Sequence, residues 1–206
     1  MSTATKSPRS QTMPRKPPAS FLLRQWTVEQ YHELIDKGVF TPDEKVELLD
    51  GWIVEKMPQN TPHASTIRKL RKALSRVLPR DWDLDIQSPI TLLTSEPEPD
   101  IAVVTASPDE YESNHPGPDD IGVIIEVADA SIVKDRVEKA RIYAEAGIPE
   151  YWIVYVGKGL IEVFSNPTNG KKWRYRTVKQ YRKADSIPLV LRGKKVADIP
   201  LRDILK

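Results

Sequence analysis

Gly122-Val123-Ile124-Ile125-Glu126-Val127 is the stretch on which the fold turns. It is short, apolar and β-branched, which reads as a buried central strand. Side chains alternate across a sheet, so Val123, Ile125 and Val127 share one face, and Ile124 and Glu126 the other. Glu126 therefore carries a carboxylate onto a buried face. That costs on the order of several kcal/mol unless an arginine, a set of hydrogen-bond donors or a metal ion compensates.

The segment upstream supplies a second acid. Asp100 opens the strand Asp100-Ile101-Ala102-Val103-Val104, and the Pro-, Gly- and acid-rich residues 105–120 read as the connecting loop. If the two strands run antiparallel, the start of the first lies beside the end of the second, and Asp100 stands next to Glu126. Paired carboxylates repel, and a divalent cation or a basic side chain from the next helix would relieve them. From these residues alone the two remedies weigh equally.

The next segment reads as a helix with Val133, Val137, Ala140 and Ala144 on one side, ending at Gly147. It carries Lys134, Asp135, Arg136 and Lys139. Asp135 and Lys139, four apart, share a helix face. They form either an exposed ion pair or, if Lys139 turns back over the strand ends, part of the acid site. Tyr151–Val156 and Leu160–Phe164 then read as a hairpin around Gly157-Lys158-Gly159.

Working towards the N-terminus, Trp82, Leu84 and Ile86 alternate as a strand does, and so do Ile90 and Leu92. His63–Leu78 has apolar residues at helical spacing with Lys69, Arg71, Lys72 and Arg76 on the other faces. Val46–Val54 reads as a hairpin turning at Asp50-Gly51. Thr27 and Gln30 form a capping box, Trp26 and Tyr31 a staple, and Gly38 a stop for a first helix. Residues 1–20 hold four prolines and no apolar periodicity, so a disordered basic tail is expected before one domain over 21–206. Strand-like residues 172–178 and a short helix near 200–205 end the chain. The order predicts an α/β domain with a mixed central sheet.

Composition narrows the chemistry. The chain has 206 residues and no cysteine, which excludes disulfides, thiolate metal sites and a cysteine nucleophile, and suits the cytoplasm. No apolar run reaches the length of a spanning helix. His32, His63 and His115 are scattered, which disfavours zinc, and no phosphate-binding glycine loop is present. The net charge of +2 is uneven. Residues 1–28 hold five bases and no acid, residues 168–206 twelve bases and three acids, and residues 29–167 fourteen bases and 26 acids. Lys171, Lys172, Arg174, Arg176, Lys179, Arg182 and Lys183 could track nucleic-acid phosphates or form a solvated hairpin surface.

Taken together, these residues resemble the PD-(D/E)XK nuclease superfamily, and within it the bacterial Uma-type restriction endonuclease family. The resemblance runs from about Trp26 onward. It rests on Glu47-Leu48-Leu49-Asp50-Gly51, His63, Pro99-Asp100-Ile101-Ala102-Val103-Val104, Ile125-Glu126-Val127, Asp135, Lys139 and Ala146–Val154 in that order. It implies a restriction-endonuclease-like mixed β-sheet flanked by helices, and a Mg²⁺-dependent (or Mn²⁺-dependent) endonuclease hydrolysing DNA phosphodiesters, acting as a homodimer. By the same resemblance Asp100, Glu126 and the Val127 carbonyl would ligate the metal. Glu47 would touch it directly or through water, and Lys139 would be the catalytic lysine.

One position departs from the superfamily pattern. The motif wants lysine two residues after Glu126, where Ala128 stands; Lys139 is the replacement expected, and Lys134 the substitute. His63 is a peripheral candidate. Tyr155 replaces an acid or amide with no catalytic meaning attached. The missing motif lysine keeps a second reading open, a nuclease-fold protein that binds nucleic acid or a protein without cutting. A third is a structural domain whose acids pair with Arg136 or a neighbour.

Overall fold

A computed structural model describes residues 23–41, 43–56, 58–128, 134–168 and 172–205. The expected tail lies outside them. No helix among the described residues is long and apolar enough to cross a membrane.

Helix α1 (Val28–Asp36) starts at Thr27, whose side chain accepts from the Gln30 N–H while Gln30 answers the Thr27 N–H. Hairpin β1–β2 (Val46–Leu49, Trp52–Glu55) turns at Asp50 and Gly51, both at positive φ, as the Asp-Gly dipeptide predicts. Asn60 caps α2 (Thr61–Leu74) by accepting from the His63 N–H.

A six-stranded mixed sheet follows: β3 (Trp82–Asp85), β4 (Ile101–Thr105), β5 (Ile121–Ala128), β6 (Glu150–Tyr155), β7 (Leu160–Pro167) and β8 (Tyr175–Arg182), neighbours in that order. All pairs are antiparallel except β5–β6, joined by a right-sized crossover that contains a π-helical turn (Lys134–Lys139) running into α3 (Ala140–Glu145). The sheet's register is bulged at Gly122, as a strand glycine often signals.

Each face of the sheet has its own core. Val123, Ile125 and Val127 lie with α2's Ile67, Leu70 and Leu74; Ile124 and Ala128 lie with α3's Ala140, Tyr143 and Ala144. The alternation read from the sequence is thus the division between the two layers. A final hairpin, β9 (Ser186–Leu191) and β10 (Lys194–Pro200), adds Ile187, Leu189, Leu191 and Ile199 to the α2 side.

Three local expectations are corrected. Ile90 and Leu92 are buried but sit in a looped segment; their N–H groups bond to Pro97 and Ser95 carbonyls, close in sequence, and no strand forms. Val137 is exposed, because the buried stripe of this helix is Lys139, Ala140, Tyr143 and Ala144. The end of the chain closes in a 3-10 turn, Leu201–Asp203.

Candidate functional site

Ile101 pairs with Ile125 across the β4–β5 ladder, so Asp100, one residue earlier, falls opposite Glu126. The antiparallel hairpin inferred from the sequence is present, and both acids lie on the α3 side of the sheet. Asp100, Glu126 and Glu47 are all buried, at 7%, 6% and 2% exposure. Glu47 arrives on β1, whose edge approaches the β4 segment through a bridge between Leu48 and Glu96.

Lys139 comes from the last residue of the π-helical turn and is itself buried. Its ammonium donates to Glu126 Oε1 at 2.7 Å and lies 3.2 Å from Glu47 Oε2. One cation thus spans two acids from two different strands. Tyr143, one turn further on, donates to the same Glu126 oxygen at 3.1 Å. Burial, with the Glu126 charge beside it, pushes the Tyr143 hydroxyl far above its usual range, so it stays protonated and a donor. Glu47 also accepts from the Glu98 N–H at 3.3 Å.

Asp100 is held differently. Its Oδ2 accepts from the Val127 N–H at 2.8 Å and lies 2.8 Å from His63 Nε2. An ionised carboxylate only accepts, so that ring nitrogen carries the proton. Gln87 donates to Oδ1 at 3.4 Å. The Asn60 cap places His63 in the first turn of α2, which aims the ring at the sheet edge. His63, peripheral in the sequence reading, is in direct contact with Asp100.

The acids could hold a metal. Glu47, Asp100 and Glu126 offer oxygen donors only, the type a hard divalent ion takes. As the side chains stand, no three His, Asp or Glu residues among the described ones form a ready cage. The donor chemistry fits a divalent cation, with the Lys139 ammonium serving as counter-ion. A cleft of about 650 Å³ lined by Lys56, Gln59, Gln87 and Glu98 borders the site.

A second buried acid was not singled out in the sequence. Glu162 on β7 pairs with Ile153, which pairs with Glu126. Glu162 accepts from Arg136 Nε at 2.8 Å, Tyr155 Oη at 2.7 Å and Gln180 Nε2 at 3.0 Å. Burial pushes its carboxyl up; the Arg136, Tyr155 and Gln180 hydrogen bonds outweigh this and hold it below its usual value. Its signal was available: Leu160-Ile161-Glu162-Val163-Phe164 repeats the pattern around Glu126. Arg136 thus pairs with an acid, but with Glu162 and not with Glu126. The side chains of Lys134 and Asp135 lie outside the described residues.

His32 and His115 come together with ring centroids 6.3 Å apart, and His32 Nε2 lies 2.5 Å from the buried Glu96 carboxylate. His63 stays apart from them at Asp100.

A family model, Uma2, described as "Putative restriction endonuclease", matches residues 28–197. Among solved structures, the crystal structure of a putative nuclease belonging to DUF820 from Anabaena variabilis ATCC 29413 is similar to this chain, with a TM-score of 0.65. The alignment is 16% identical and covers 86% of this chain and 96% of that one, a likeness of fold. No curated protein matches.

Proposed function

The chain belongs to the Uma2 family of restriction-endonuclease-like proteins, and from that premise we propose that it is a metal-dependent endonuclease hydrolysing DNA phosphodiesters at Asp100, Glu126, Glu47 and Lys139. The observation that carries this reading is Lys139 bridging Glu126 and Glu47 beside Asp100. The lysine missing at Ala128 is replaced by one from the following helix, and its ammonium reaches the same carboxylate.

Asp100, Glu126 and the Val127 carbonyl would hold Mg²⁺ or Mn²⁺, with Glu47 touching it directly or through water. When bound, the ion supplies a water of lowered pKa and offsets charge on the scissile phosphate. His63 and the Val127 N–H fix the Asp100 carboxylate before any ligand arrives, which spares reorganisation. Tyr143 and Lys139 fix Glu126 in the same way. Lys139 orients the attacking water and, as a cation, stabilises the charge that builds on the pentacovalent phosphate. Cutting both strands of a duplex needs two such sites, so the functional unit proposed is a homodimer, acting in the cytoplasm.

The test pairs wild type with Asp100→Asn. Calorimetry measures Mg²⁺ and Mn²⁺ binding, and supercoiled plasmid reports nicking. Metal-dependent nicking by wild type, lost in the variant, supports the enzyme. Metal binding with no nicking supports a nuclease-fold protein that binds without cutting. No metal binding by wild type rejects the metal site.

A further inference from the structure

From Lys56 to Arg80 the chain carries seven Lys and Arg residues and not one Asp or Glu. This segment is α2 and its flanks. Ile67, Leu70 and Leu74 bury one side of the helix against the sheet. Arg68, Arg71, Lys72 and Arg76 are exposed and fan over the opposite side, and among the described residues none has an ion-pair partner. Lys69 is partly buried and donates to the Ile204 carbonyl at 3.5 Å.

Arg68 and Lys72 lie at four-residue spacing on α2, and Arg76 stands four residues further on, in the turn just past its end. Like charges at that spacing destabilise a helix by about 0.2–0.5 kcal/mol per pair. An exposed helix normally relieves this with interleaved glutamates, and α2 has none. Arg68 and Lys72 are about 6 Å apart along the helix axis and Arg76 prolongs the row past the helix end, a length over which a duplex presents more than one phosphate. His63, in the first turn of the same helix, lies on Asp100, and the cationic row starts five residues later on another side of the helix. The basic strand β8 is less well placed, on the outer edge of the sheet with β6 and β7 between it and β5.

We infer that the outer face of α2 and the turn after it, through Arg68, Arg71, Lys72 and Arg76, bind the phosphate backbone of duplex DNA. The inference rests on the nuclease reading for its choice of polyanion. Such contacts carry no base information, so this surface sets affinity and register without sequence preference.

The test measures binding of a duplex of about 20 base pairs in EDTA over a salt series. Arg68→Gln, Lys72→Gln and Arg76→Gln are combined in one variant, and Arg176→Gln, Lys179→Gln and Arg182→Gln on β8 in another. The α2 variant is expected to lose at least about tenfold in affinity near 100 mM salt, with a salt slope shallower by about three. Its thermal midpoint should hold or rise, since glutamine is a good helix former and the repulsion is gone. The β8 variant should bind as wild type does. Unchanged affinity and slope in the α2 variant overturn the inference, as does a wild type that binds anionic vesicles and not DNA. Plasmid nicking by wild type is scored separately. Nicking alongside an unaffected α2 variant sinks the surface and spares the nuclease; α2-dependent binding without nicking does the reverse.

Discussion

Glu126 on β5 and Glu162 on β7 stand in one row across the sheet, on either side of Ile153. The crossover helix answers both, with Lys139 for Glu126 and Arg136, three residues earlier, for Glu162. The two pairs differ in what remains. Arg136 is half exposed and serves one acid, with Tyr155 and Gln180 completing the shell, so that pair is a pin between helix and sheet. Lys139 is buried and shared between Glu126 and Glu47, so one ammonium contacts acids from two strands. Removing one partner from a buried charge pair is costly, so the shared lysine is the sensitive member of this group.

Replacing Lys139 by Met tests whether the acids it contacts form a cation site. The substitution keeps most of the side chain's length and removes its charge, so Glu126 and Glu47 lose the ammonium they share. Without added metal the variant should lose about 3–5 kcal/mol, the usual consequence of breaking a buried pair. Millimolar Mg²⁺ or Mn²⁺ should then raise its thermal midpoint by more than it raises that of wild type, while plasmid nicking is lost. A midpoint equally insensitive to metal in both proteins would show that the acids do not form a cation site.

Glu162 gives the molecule an acid limb. Its carboxyl is held below the ordinary value of 4.5, so its contribution is complete above that pH and fades as pH falls through the lower, folded value. Glu162→Gln should therefore cost about 1.5–3 kcal/mol near neutral pH, the worth of hydrogen bonds to a charged group. The gap between variant and wild type should narrow as pH falls below the ordinary carboxylate range. Urea unfolding over a pH series measures it, and a gap independent of pH would contradict the ionised assignment.

Much of this site was legible from alternation alone. A single charged residue inside Val-Ile-Ile-Glu-Val must reach a buried face, and an antiparallel β4–β5 pair then brings Asp100 to it. Glu162 obeys the same logic and was passed over because it lay in a hairpin read only for its turn. Lys139 could be nominated but not oriented. Helical spacing put Val137 on the buried side, whereas the buried set is Lys139, Ala140 and Tyr143. A π-helical turn from Lys134 to Lys139 offsets the regular period there, and no residue in it announces that offset. The β9–β10 hairpin escaped for a different reason. Its turn is Arg192-Gly193, where arginine takes a positive φ, and its strands mix Pro188 and lysines with the buried Ile187, Leu189 and Ile199.

Gly122 is fixed by packing more than by its backbone. A Cβ built there would lie 2.7 Å from both the Leu191 side chain and the Trp82 ring, inside the core that joins β5 to the β9 hairpin. Gly122→Ala should cost about 1–3 kcal/mol through overpacking. Chemical denaturation should show a lower midpoint with an unchanged slope. Wild-type stability in this variant would mean that the β9 hairpin moves freely enough to make room.

His63 acts on the site through Asp100, and its role separates from bulk stability. Its Nε2–H holds Oδ2, the oxygen that also accepts the Val127 N–H, so the ring sets the carboxylate plane. His63→Ala frees that plane and should weaken Mn²⁺ affinity by about 10–100-fold, the usual scale for losing an outer partner of a ligand. The ring is only 12% exposed, but the Val127 N–H and Gln87 stay on Asp100, so the fall in thermal midpoint should be modest. His63→Gln, which can still donate to Asp100, should recover part of the affinity. A purely structural ring would give the opposite pattern: a lower midpoint in both variants, unchanged Mn²⁺ affinity, and no distinction between alanine and glutamine.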